Sequence, residues 1–233
     1  MKKLLILGLL SGFFWADQVE ENIIKAFEGE KMPVKKIIAI ETLNSGLSIA
    51  LVEEENGMQM PVFITSDGKN IIGIGDPLIM GDHNFQEKLR LMYKTAMHHN
   101  QKSTDVKILK SVPEDAWIHL NGQGKSGSIY MVVDANCSFC KQEIAKLEET
   151  MKNYKDVSLL FVGLLNENSL HKATKVYKLI KNTKSQQQIM AIIHQSFDKN
   201  FKADKNVDNS FAQKNSKAII SAGVRGVPYI ITD

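Results

Sequence analysis

Apolar and polar positions change their period several times along this chain, and each change marks an element. From Asp17 onward, Val19, Ile23, Ile24 and Phe27 form one apolar face, and Glu20 follows Asp17 in the manner of a capping box, so a short helix ending at Gly29 is predicted. Three or four strands follow, at 34–42, 47–54, 60–66 and 70–74. They are punctuated by turn residues at Asn44-Ser45-Gly46, Glu55-Asn56-Gly57 and Asp67-Gly68. The pattern is an antiparallel meander behind one helix. A sheet so small, with a single helix, barely buries itself, so edge-to-edge pairing of two copies is expected.

The period then returns to that of a helix. Phe85, Leu89, Met92, Tyr93, Ala96 and Met97 recur at three- and four-residue spacing from about 84 to 100, and the polar residues 100–105 mark a domain boundary. Residues 128–133 form a short apolar, β-branched run of the kind that makes a buried strand. From Ser138, Ile144, Leu147 and Met151 recur with Lys and Glu between them, as in an amphipathic helix. A strand is predicted at 157–163 and helices at 170–180 and 186–197, with Met190 and Phe197 in the core. At the far end Pro228 stands at the mouth of an apolar run, where a central strand would reject it. A cis peptide before Pro228 resolves that conflict, and so does a trans proline opening an edge strand.

The first residues are a separate matter. Lys2 and Lys3 precede the apolar stretch Leu4 to Leu10, and Ala16 is a natural cleavage residue, so residues 1–16 read as a secretory signal. The stretch is too short to span a bilayer comfortably, although an uncleaved anchor remains an alternative. The net charge of +3 includes those two lysines. It argues for neither nucleic acid nor a membrane surface as partner.

The chain has two cysteines, Cys137 and Cys140, and they fall at the predicted strand-to-helix turn. A structural disulfide gains little from closing so short a loop. Structural zinc would need two more ligands at comparable spacing, and none of His83, His98, His99, His119, His171 and His194 stands three to five residues from another. Adjacent His98 and His99 read as a solvated helix end. Dithiol chemistry is left, because backbone N–H groups at a helix start favour a thiolate. Cys137 is then the attacking sulfur, and Cys140, one turn further in, resolves the mixed disulfide. Lys141 either adds a nearby cation or extends into water. Asp134 either assists proton transfer or caps a backbone N–H. Two glycine patterns are set aside. Gly122, Gly124 and Gly127 precede a strand where a dinucleotide motif must follow one, and Gly124-Lys125-Ser126 lacks the first glycine of a phosphate loop. Both read as a flexible turn entering the second sheet.

Three segments together resemble the periplasmic DsbC/DsbG family of thioredoxin-fold disulfide isomerases. They are Asp134 with Cys137-Ser138-Phe139-Cys140, the loop Gly223-Val224-Arg225-Gly226-Val227-Pro228, and the hairpin Pro61-Val62-Phe63-Ile64-Thr65-Ser66-Asp67-Gly68-Lys69-Asn70-Ile71-Ile72. The resemblance implies an α+β chain: a signal peptide (1–16), a small cystatin-like antiparallel dimerisation domain (17–83), a linker helix (84–105) and a thioredoxin-like α/β domain with a helical insertion (106–233). It also implies a further strand and closing helix that the sequence to Asp233 does not include. The implied function is isomerisation or reduction of disulfides in exported periplasmic proteins by a homodimer. Cys137 and Cys140 are the catalytic pair, Val227 and Pro228 bind substrate, and Asp134, Ser138, Phe139 and Lys141 surround them, with no cofactor or metal. A membrane-bound redox partner is implied, DsbD-like if it reduces the pair and DsbB-like if it oxidises it. Val227 stands where the isomerases carry threonine, and valine there is more usual in the oxidase DsbA. A dithiol oxidase and a chaperone-like binding protein therefore stay open.

Overall fold

A computed structural model describes residues 11–43, 46–75, 77–183, 185–203 and 206–232, with the backbone alone for 11–16. Two compact units meet at Ser103/Thr104, within one helix. The expected signal segment lies outside the described residues up to position 10.

The first unit contains α1 (Ser11–Gly29), β1 (Val34–Thr42), β2 (Leu47–Glu54), β3 (Gln59–Thr65), β4 (Ile71–Gly73) and the first part of α2 (His83–Ser111). The strands form an antiparallel meander in the order β1-β2-β3-β4. Helix α1 extends back to Ser11, which puts Asp17 inside it and corrects the expected start at that residue. Alternation along β2 sends Ala50 and Val52 to the face covered by Val19, Ile23 and Phe27 of α1. Ile49 and Leu51 point the other way, onto Leu89, Met92 and Ala96 of α2. Both faces are thus covered, and the expectation of a sheet buried by one helix is corrected. The physical reason is that the helix expected to serve only as a linker lays its apolar stripe on the sheet.

Residues 98–105 do not end that helix. His99 and Asn100 face the β2–β3 hairpin, where His99 Nε2 lies 3.0 Å from the Gly57 carbonyl. Asn100 brackets the Gln59 backbone: its Oδ1 accepts the Gln59 N–H at 2.7 Å, and its Nδ2 donates to the Gln59 carbonyl at 2.8 Å. The polar run is therefore helix surface satisfying a hairpin backbone, and the helix end expected at His98-His99 is corrected.

The second unit begins with the last turns of α2 and a 3-10 turn at Glu114–Ala116. It continues through β5 (Ile118–Asn121), β6 (Ser128–Val133), α3 (Ser138–Ile144), α4 (Leu147–Asn153) and β7 (Asp156–Phe161). Helices α5 (Glu167–Lys181), α6 (Gln186–Ser196) and α7 (Ser210–Ala222) precede β8 (Tyr229–Thr232). The sheet order is β5-β7-β6-β8, with β6 and β7 parallel and the outer pairs antiparallel. Ile129, Met131 and Val133 of β6 face the core made with α3 to α6, while Val132 faces α7 and the end of α2. Helices on both faces explain why β7 is buried from Val157 to Phe161.

Three expectations change here. The helix predicted from Ser138 is broken at Ala145-Lys146 into α3 and α4. The glycine run is no flexible turn: Gly122 and Gly124 donate to the carbonyls of Lys155 and Tyr154 at 2.7 and 3.1 Å. A Cβ on Gly124 would meet Asn153 backbone at 2.5 Å, so glycine permits this close approach. Helix α7 was not predicted, because Asn215 and Ser216 sit on its buried face beside Ala212 and Ile219.

Candidate active site

The register of the second sheet assembles the site. Pairing of Val132 with Tyr229 brings the end of β6 and the start of β8 to the same edge of the layer. The chain leaves β6 into a tight turn in which the Cys137 N–H donates to the Asp134 carbonyl at 3.0 Å. The Asp134 side chain accepts the Asn136 N–H at 2.8 Å, the local bond that aspartate makes in turns. The Val227–Pro228 peptide is cis, the first of the two arrangements expected for it.

Cys137 is the N-cap of α3, and its Sγ accepts the Cys140 N–H at 3.3 Å. On the other side its thiol donates to the Val227 carbonyl, also at 3.3 Å. Cys140 lies beneath, fully buried, and its Sγ accepts the Asp134 N–H at 3.5 Å. Burial pushes the Cys140 thiol well above its usual range; the Asp134 N–H opposes this, while Cys137 and the Asp134 charge add to it. Ser138, Phe139 and Lys141 are exposed, Phe139 at 66 %.

Asp134 is fully buried and spends both oxygens on backbone. Besides Asn136, it accepts the N–H groups of Leu164 and Leu165 at 2.9 and 3.1 Å, which clasps the cysteine-bearing turn to the loop before α5. Of the two roles expected for it, capping is the one this geometry displays.

Two contributors escaped the sequence reading. Asn136 reaches Asn166 and Ser169 at 3.2 and 3.0 Å and so holds the turn to the start of α5. Lys172, only 8 % exposed, lies within electrostatic reach of Asp134, and burial lowers its ammonium below the usual value. A signal for Lys172 existed. It occupies the buried stripe of α5 with Ser169, Ala173 and Val176, where an apolar residue is the norm. Among the described residues, no three or more His, Cys, Asp or Glu side chains are grouped to hold a metal ion.

Comparison with known proteins sets two kinds of likeness beside this geometry. Residues 19–108 match the family described as disulfide isomerase DsbG N-terminal. That stretch is similar to a DsbG-type amino-terminal domain. The solved structure of Helicobacter pylori DsbG is similar to the chain at 20 % identity and a TM-score of 0.52, covering 91 % of this chain and 100 % of that one. At that identity the likeness speaks for the fold, which is the thioredoxin-like α+β architecture that the motifs of the DsbC/DsbG family imply. Two further similar structures are the catalytic domain of Proteus mirabilis ScsC and a periplasmic thioredoxin-like protein from Salmonella enterica serovar Typhimurium. The first has 16 % identity, covers 57 % of this chain and 85 % of that one, and gives a TM-score of 0.45. The second has 17 % identity, covers 55 % and 83 %, and gives a TM-score of 0.44. No curated protein sequence matches the chain.

Proposed function

We propose that the chain catalyses thiol–disulfide exchange on exported proteins, with Cys137 as nucleophile and Cys140 as the resolving thiol. The observation that carries this reading is the setting of Cys137 Sγ. It takes an N–H from Cys140 and stands beside the Val227 carbonyl at the mouth of a strand-to-helix turn. The thiolate is the reactive form of such a sulfur.

The Cys137 thiolate attacks one sulfur of a substrate disulfide. A bond forms from Cys137 to that sulfur, the substrate S–S bond breaks, and the other substrate sulfur leaves as a thiolate. From the mixed disulfide two branches follow. A second substrate thiolate attacks the substrate sulfur and returns Cys137 as thiolate, which is isomerisation without net redox change. Alternatively Cys140, deprotonated, attacks Cys137 and releases reduced substrate, leaving a Cys137–Cys140 disulfide for a dithiol reductant to reduce.

The environment of Cys140 orders these steps. While Cys137 is free, burial and the neighbouring sulfur hold the Cys140 proton on. Mixed-disulfide formation removes the Cys137 charge and therefore one of the causes that raise Cys140. Resolution then follows attack and does not precede it. No histidine stands between the cysteines to hold the thiolate strongly, which favours isomerisation or reduction over oxidation. The backbone at Val227 and the face of Pro228 would hold the substrate chain extended beside the sulfur.

The DsbG-type domain supports a homodimer, and a periplasmic location with a membrane-bound reductant completes the reading. No helix among the described residues is long and apolar enough to cross a membrane. The decisive experiment is reactivation of scrambled ribonuclease by the purified protein and by Cys137→Ser. The variant should be inactive, and equal activity would refute the proposal. Alkylation trapping in cells should find the pair largely reduced; a largely oxidised pair would indicate an oxidase.

A further inference from the structure

A cleft of about 520 Å³ opens beside the redox turn. Ala135 and Asn136 form one wall, Asn168 and Lys172 of α5 a second, and the segment from Phe197 to Ala203 a third. Lys172 supplies its charge, carried on a largely buried stem. The residue is only 8 % exposed, yet among the described residues its ammonium has no hydrogen-bond or ion-pair partner. Asp134 acts on it through space, but both Asp134 oxygens are engaged by backbone N–H groups. A cation without a fixed partner at the wall of a cleft favours a ligand that brings the counter-charge.

The rest of the lining has the same sign. Among the described lining residues, Lys199 and Lys202 stand with Lys172 against one acid, Asp198. Behind them Lys175 donates to the Lys202 carbonyl at 2.6 Å and lies 4.3 Å from the Phe201 ring centroid. Phe197 and Phe201 give the cleft an apolar wall, which suits a carboxylate carried on a short methylene stem. Asn136 is the residue before Cys137, about 3.8 Å away from Cα to Cα. A chain joined to the Cys137 sulfur would therefore pass its nearest side chains over this opening.

We propose that the cleft is an anion subsite that takes the carboxylate of an acidic residue adjacent to the reacting cysteine of a disulfide-bonded substrate. The inference rests on thiol–disulfide exchange at Cys137 and deepens it by naming a substrate preference. The subsite recognises charge at a fixed offset from the sulfur, so an acidic residue there raises both binding and exchange rate.

The test uses short peptide disulfides carrying Glu or Gln at each of the two positions on either side of the cysteine. Exchange rates are measured with the full chain, and binding of the S-methylated peptides is measured by NMR titration of the Cys137→Ser protein. At one or more positions the Glu peptide should exceed its Gln partner by about tenfold in both measurements. The ratio should shrink in about 0.5 M salt. Lys172→Met should bring the ratio to one, and Lys172→Arg should keep it. In the protein with native Lys172, the Glu peptide should raise the titration midpoint of the Lys172 ε-methylene resonance and the Gln peptide should not. That readout holds even if Lys172→Met does not fold. Ratios near one at every position, a preference that survives in folded Lys172→Met, or an unmoved Lys172 midpoint would each overturn the subsite. Absence of exchange with every peptide would instead defeat the catalytic reading, while the binding arm would still judge the cleft.

Discussion

The sulfur of Cys137 lies 3.3 Å from the carbonyl oxygen of Val227, ninety residues later in the chain. Cys140, three residues away in sequence, is sealed in the core beneath it. Both thiols are buried, but Cys137 keeps 7 % of its surface exposed and Cys140 none, and this difference separates their reactivity. Iodoacetamide should label Cys137 in the native reduced protein at neutral pH, and Cys140 only after denaturation. Peptide mass mapping of partly labelled protein is the check, with an expected rate ratio of on the order of a hundredfold from burial and protonation together. Equal labelling would mean that the turn does not hold its sulfurs apart in solution.

Asp134 offers a second discrimination. Its carboxylate accepts three backbone N–H groups, from Asn136, Leu164 and Leu165, and an amide in its place leaves at least one without a partner. Asp134→Asn should therefore cost about 1–3 kcal/mol in urea unfolding. The same substitution removes a negative charge that raises the Cys140 thiol, so the Cys140 titration should move down. A structural clasp alone would give the first effect without the second. Labelling Cys140 with carbon-13 at Cβ and following its shift against pH distinguishes them.

How far the sequence discloses this site depends on the kind of interaction involved. Cys137, Cys140 and Pro228 are legible because each is chemically rare at its place: a lone dithiol at a strand-to-helix turn, and a proline at the mouth of an apolar run. The strand edges 34–42, 47–54 and 128–133 are equally legible, since turn residues bound them directly. The partners of Asp134 are not, because Leu164 and Leu165 contribute only backbone, which carries no residue signature. Helix α7 is hidden for a different reason: its buried face includes Asn215 and Ser216, and Ser216 is satisfied by Ala212 and Gly163 rather than by burial of carbon. The covering of the first sheet by α2 is hidden too, since an apolar stripe announces burial without naming the surface that buries it.

Gly163 tests how tightly α5 must approach the site. It follows β7 and precedes the two residues that hold Asp134, and its N–H donates to Ser216 Oγ at 2.9 Å. A Cβ there would meet the N and Cα of Leu170 at 2.5 Å, a contact with backbone that cannot rotate away. Gly163→Ala should therefore push the first turn of α5 outward and destabilise the fold by about 1–3 kcal/mol. It should also disturb the Asn136 bonds to Asn166 and Ser169, so Cys137 alkylation should change along with the urea midpoint. A variant of native stability would mean that the approach of α5 is looser than the structure describes.

The raised thiol of Cys140 has a consequence for stability at alkaline pH. The folded state holds the Cys140 proton more tightly than the unfolded chain, in which the thiol returns to its ordinary value of 9.0. Below that value both states are protonated and the group contributes no pH dependence. Above it the unfolded chain loses its proton while the folded protein keeps it, so stability falls as pH rises. The slope from one such group is at most about 1.4 kcal/mol per pH unit. Tyr93, Tyr177 and Tyr229, raised chiefly by burial from 10.0, add the same sign of slope as pH approaches 10. Across the interval from pH 9 to 10 it is therefore the comparison with Cys140→Ala that isolates the cysteine. Urea unfolding of the reduced protein should show stability falling across that interval, and Cys140→Ala should flatten the fall. Parallel curves for the two proteins would mean that the buried thiol does not retain its proton in the folded state, and the proposed order of attack before resolution would lose its electrostatic basis.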